Sequence, residues 1–190
     1  MAASVLVAAT PSARGRLAAA LYGGSLVILF GVSALYHRPT WAPRPRAWMR
    51  RLDHSAIFVL IAGSYLPFGM SLAPPTEHWL LGIVGCGAAL GILQSLAWVH
   101  APKPLVALIY LVLGWVAVPF VPALRIVVDA RQVTLLVVGG IAYSLGAVVY
   151  ATRRPDPFPT VFGYHEVFHA LTIVAAVCHF TAIAQLVSRM

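Results

Sequence analysis

Apolar residues along this chain gather into six long blocks separated by short polar connections. They cover residues 17–36, 55–73, 79–99, 104–124, 133–151 and 167–187. A helix rises about 1.5 Å per residue, so roughly 20 apolar residues cross a hydrocarbon core of ~30 Å with every backbone amide satisfied internally. Each block meets that length, and the pattern predicts an all-α membrane protein with six clear spans in a single domain over residues 1–190. Residues 2–10 are also apolar but too short to cross. No basic residue precedes them and Arg14 and Arg16 follow, which makes a poor signal peptide and leaves a fragment. Pro67, Pro119 and Pro122 lie within or near the blocks, while Pro39, Pro43, Pro45, Pro74, Pro75, Pro155, Pro157 and Pro159 lie in connections. The connections are too short to hold a soluble catalytic module.

Composition agrees. Hydrophobic residues make up 61% of the chain and charged residues 9%, against about 25% charged in soluble domains. The formal charge of +8 does not indicate nucleic acid, because the basic residues sit between apolar blocks rather than on one soluble face. They sort instead by side. Arg14, Arg16, Arg125, Arg131 and Arg189 fall on one side; Arg38, Arg44, Arg46, Arg50, Arg51, Lys103, Arg153 and Arg154 fall on the other. The second set is the expected cytoplasmic one, with its densest cluster between the first two spans. Trp41, Trp48, Trp79 and Trp98 sit near span ends, as an interfacial aromatic belt requires. Cys86 and Cys178 lie inside spans and form neither a disulfide framework nor a CxxC pair.

Ionisable groups at the edge of a span are costly unless paired, so they are the candidates for function. His37 closes the first span, Asp53 and His54 open the second, and His165 and His169 open the last. The i, i+4 spacing of His165 and His169 puts two imidazoles on one helical face, one turn apart. The alternation of sides brings His37, Asp53, His165 and His169 to the same depth of the expected cytoplasmic face. Three imidazoles suit Zn²⁺ and leave a fourth position for water. Asp53 would orient a ligand, serve as general base or supply a counter-charge, and Ser33, one turn from His37, could contact the water or a substrate. Interfacial hydrogen bonding is the alternative for each histidine taken alone. His54 could replace or supplement a ligand, His78 and His100 read as interfacial, and His179, in mid-span, reads as a structural histidine.

Three strings carry a resemblance: SALYH (Ser33 to His37), LDHSAIFVLIAGSYLPF (Leu52 to Phe68) and HEVFHALTIVAAVCHF (His165 to Phe180). In that order and spacing they resemble the signature blocks of the hemolysin III and progestin/adipoQ receptor proteins, over nearly the whole chain. The resemblance implies a seven-helix bundle, here with its first helix shortened to the residue 2–10 fragment. It implies zinc held by His37, His165 and His169, with Ser33 and Asp53 beside it, in a multi-pass protein of a bacterial plasma membrane. It also implies kinship with a wider group that includes lipid-amide hydrolases.

HEVFH is also the HExxH pattern of zinc proteases, in which the Glu activates water. Those enzymes usually take a third, acidic ligand downstream, and after Glu166 this chain contains no Asp or Glu. Glu166 is therefore expected to be incidental. The leading expectation is a zinc-dependent hydrolase cutting a lipid amide or ester, with membrane lipid as substrate or ligand and no nucleic-acid partner. The alternatives are a zinc-stapled lipid sensor without catalysis, an intramembrane protease, and a pore-forming protein, the last disfavoured by the lack of a charged ring or polar stripe along the spans.

Overall fold

A computed structural model describes residues 2–190. Its elements are α1 (Ala2–Ala9), α2 (Ala13–His37), α3 (Pro43–Gly69), α4 (Thr76–Ala97), α5 (Lys103–Gly114), α6 (Val121–Val127), α7 (Ala130–Thr152) and α8 (Tyr164–Val187), with a 3-10 turn at Val118–Phe120 between α5 and α6. Among the described residues no strand forms beyond an isolated pairing of Phe158 with Phe162. Six helices are long and apolar enough to cross a membrane, counting Lys103–Val127 as one interrupted span. The observed helices overrun the apolar blocks by a few residues at most ends, and α3 begins well before its block.

The helix ends follow local chemistry. Ser12 caps α2 by accepting a hydrogen bond from the Gly15 amide. At α7 the Asp129 carboxylate accepts from the Gln132 amide at 2.9 Å, and the Gln132 side chain accepts from the Asp129 amide at 2.8 Å, a reciprocal capping box. α3 starts on Pro43, whose ring suits the first helical turn because its missing N–H would have had no partner there. The span predicted at 104–124 breaks after Gly114, where the Trp115 indole donates to Ser144 Oγ on α7 at 3.0 Å.

Two compact units are distinguishable: one holds the chain up to His100 together with Leu186–Met190, the other holds Ala101–Gln185. In the first, α1 packs on α2, α2 on α3 and α3 on α4. In hydrocarbon no hydrophobic effect drives helices together, so close backbone approach through small residues does. The buried face of α2 accordingly reads Gly15, Ala18, Ala19, Tyr22, Gly23, Ser25 and Leu29. A Cβ at Gly23 would meet Ala3 of α1, one at Gly63 would meet Ser25, and one at Gly91 would strike the ring of Phe58. Arg14 pairs with Glu77 at 2.6 Å and donates to the Met70 carbonyl at 2.9 Å.

In the second unit α5 packs on α7, and α7 closes on α8 through Gly139, where a Cβ would strike the His179 ring. The buried Gln132 amide donates to the Ala182 carbonyl at 3.1 Å, satisfying a polar group that would be expensive to leave unpaired in this setting. Val27, Leu90, Leu93, Val112 and Val177 stay more than half exposed. Such exposed apolar faces are what a lipid solvent permits and water does not.

Candidate metal centre

The C-terminal end of α2 carries Ser33 and His37 four residues apart, hence on one face. α2 stops at His37, and the Trp41 indole donates to the Leu35 carbonyl at 2.9 Å, folding the short connection back onto the helix end. α3 then begins at Pro43 and runs without interruption past Asp53. Asp53 therefore lies nearly three turns inside a helix rather than at its start. Ser33 and His37 both stand beside the half-buried Asp53 carboxylate, close enough to interact with it.

At the start of α8, His165 and His169 are both half-buried. Their Nε2 atoms approach to 3.1 Å, and their rings meet edge to face with centroids 4.5 Å apart. Phe168 lies stacked against His165 at 6.1 Å. The exposed Glu166 carboxylate accepts from the Gly163 amide at 2.9 Å and so caps the helix it opens. Asp156 holds the next amide, that of Tyr164, at 2.8 Å.

His165 and His169, both in the second unit, turn their Nε2 atoms toward each other on one face of α8, a pair that could supply two ligands to a metal ion. The donors suit zinc: imidazoles bound at ~2.0–2.1 Å in tetrahedral array require nitrogens about 3.3 Å apart. The 3.1 Å separation of His165 and His169 already falls near that value. A nitrogen-only set accepts other first-row ions as well, so the donor type narrows the metal without naming it.

Asp53 and Ser33 stand outside this ligand set, as do His54, His78 and His100. His179 is buried beside Gly139, its ring edge to face with Tyr143 at 5.4 Å. One cluster next to His165 has no counterpart in the sequence pattern. Lys103 Nζ donates to the Tyr164 hydroxyl at 2.9 Å and lies over the Tyr150 and Tyr164 rings at 4.6 and 4.8 Å. A lysine at the first position of a span announces topology, and nothing in its local sequence points to a tyrosine 61 residues away.

Comparison with known proteins agrees with the motif blocks. The profile of the family described as "Haemolysin-III related" matches residues 1–180. The chain is 31% identical to "Hemolysin-3 homolog" of Bacillus subtilis, over 80% of this chain and 69% of that protein. It is 33% identical to "Hemolysin-3" of Bacillus cereus, over 70% of this chain and 61% of that protein. It is 30% identical to "Adiponectin receptor protein" of Drosophila melanogaster, over 72% of this chain and 34% of that protein. The chain thus spans about two thirds of the length of the Bacillus relatives. With six membrane-length apolar helices and a family match over nearly its whole length, this chain belongs to the haemolysin-III-related family and is a multi-pass α-helical integral membrane protein.

Proposed function

We propose that His37, His165 and His169 bind one zinc ion and that the protein hydrolyses an amide or ester bond of a membrane lipid. The observation that carries this reading is the His165–His169 pair, with Nε2 atoms 3.1 Å apart on one face of α8, and in the first unit Ser33 and His37 stand beside the Asp53 carboxylate. When bound, zinc polarises a carbonyl and makes water acidic enough to attack at neutral pH. Asp53 takes the proton from the attacking water and delivers it to the leaving amine or alkoxide as the acyl bond breaks. The Ser33 hydroxyl, beside Asp53, steadies the carboxylate for that transfer. Phe168 walls the site beside His165 with apolar surface that suits an acyl chain.

Glu166 has no part in this scheme. Its carboxylate caps α8, which counts against the protease reading of HEVFH. A second reading keeps zinc without turnover: a metal joining residues distant in the chain contributes several kcal/mol to folding by itself. The experiment that separates the two gives the zinc-loaded full chain, in detergent, a panel of amide- and ester-linked lipids and measures released fatty acid. Wild type is expected to release it, and Asp53→Asn to keep its zinc while losing roughly 10²–10⁴-fold in rate. Normal turnover by Asp53→Asn would remove the role given to Asp53. No lipid consumed, with thermal stability still lowered by chelation, would leave the structural reading standing.

A further inference from the structure

The arginines of the first unit divide by what their side chains do. Arg14 is engaged by Glu77 and the Met70 carbonyl, Arg16 by the Thr10 and Pro11 carbonyls, and Arg51 by the Leu96 carbonyl and the Trp48 ring. Among the described residues, no carboxylate or carbonyl engages the side chains of Arg46 and Arg50. These two stand four residues apart on α3, hence on one helical face, and both line a cavity of about 460 Å³. Its other walls include Tyr36, Trp41, Val99 and His100. The lining contains no acidic residue. The Trp41 indole N–H is already committed to Leu35, so that ring serves as an apolar wall.

We propose that this cavity binds the phosphate group of an anionic phospholipid. Two guanidinium forks present paired N–H donors that match phosphate oxygens, and Arg is the side chain suited to such two-pronged recognition. The volume lies within the range of small-ligand sites. Tyr36 and Trp41 sit at a span end, at the depth where headgroup and acyl glycerol meet. The arginine distribution puts this end on the cytoplasmic side, the leaflet whose anionic lipids attract clustered arginines. General topology control needs positive charge but no cavity, and two uncommitted guanidinium groups facing one cavity with aromatic walls go beyond it. None of these residues is a proposed zinc ligand, so phosphate binding here does not depend on a metal.

The test uses the detergent-purified full chain and native mass spectrometry with phosphatidylglycerol, phosphatidylcholine or inorganic phosphate. Wild type is expected to retain one phosphatidylglycerol more tightly than phosphatidylcholine. The R46Q/R50Q variant is expected to lose about tenfold or more in apparent affinity per guanidinium removed. The R153Q/R154Q variant removes the same charge from the same side and should bind as wild type does. R46K/R50K keeps both charges and loses the fork, so it should bind several-fold more weakly while inserting and folding normally. Equal weakening by R153Q/R154Q, or wild-type binding by R46K/R50K, would reduce the effect to diffuse attraction and overturn the site. Binding of inorganic phosphate that displaces the lipid at millimolar concentration would assign the cavity to free phosphate and overturn the lipid assignment.

Discussion

Glycine at position 91 is where close helix packing can be tested most sharply. The Phe58 ring, fully buried on α3, lies where a Cβ on residue 91 of α4 would have to go, touching three ring atoms. Gly91→Ala must therefore displace a ring or a helix. Overpacking of this kind costs about 1–3 kcal/mol, and the gain from replacing glycine by alanine in a helix offsets about 0.5–1 of it. Taking the middle of both ranges, the net is a loss of about 1 kcal/mol, roughly 2–5 °C in a chain of this length. The same helix supplies its own control. A Cβ at Gly85 would meet nothing within 4 Å, so Gly85→Ala should keep only the favourable part and rise by roughly 1–4 °C. The assay is thermal unfolding of the purified protein in one detergent, followed by far-ultraviolet circular dichroism. In a Phe58→Leu background the penalty at position 91 should shrink, because the smaller side chain leaves room. If Gly91→Ala matches or exceeds wild type while Gly85→Ala behaves alike, close approach of α3 and α4 is not what holds this pair.

Other consequences follow from single groups. Gln132→Ala removes the side chain that accepts from the Asp129 amide and donates a second hydrogen bond to the Ala182 carbonyl, so both the bond that closes the cap and the bond to α8 are lost. Unfolding in detergent should register a loss of about 1–3 kcal/mol, and Gln132→Glu should lose at least as much, because it turns a buried carboxylate toward the Ala182 carbonyl. Glu166→Gln should leave bound metal and any lipid turnover within a few-fold of wild type and cost no more than ~1 kcal/mol of stability, as loss of a cap does. Abolished turnover with metal retained would instead make Glu166 a base.

The six spans are legible in the sequence because a lipid solvent demands unbroken apolar length, and that demand is written residue by residue. Where helix and apolarity part, the sequence pattern misplaces the boundary. α3 begins at Pro43, well before the apolar block that opens at Ser55, because Arg44, Arg46, Arg50 and Arg51 are helix formers although hydropathy reads them as a loop. The break after Gly114 is hidden for the converse reason: the segment stays apolar through a turn whose cause is Pro119, Pro122 and the Trp115–Ser144 hydrogen bond. The pairing of His165 with His169 on one face of α8 is legible from their i, i+4 spacing. Ser33 is legible from its place one turn from His37. The commitment of Glu166 to the Gly163 amide is not, since HExxH describes the protease and the helix cap equally well. The lysine over Tyr150 and Tyr164 and the cavity beside Arg46 and Arg50 depend on tertiary packing, and no local pattern encodes them.

The central claim is that three imidazoles hold one metal ion. Its most direct test is elemental mass spectrometry of the detergent-purified protein, as wild type, as His37→Ala and as the His165→Ala/His169→Ala double variant. The account predicts about one zinc per wild-type chain, little in His37→Ala and none in the double variant. Wild-type protein prepared with zinc present and free of chelators but carrying no metal, or a double variant that keeps its full complement, would contradict it.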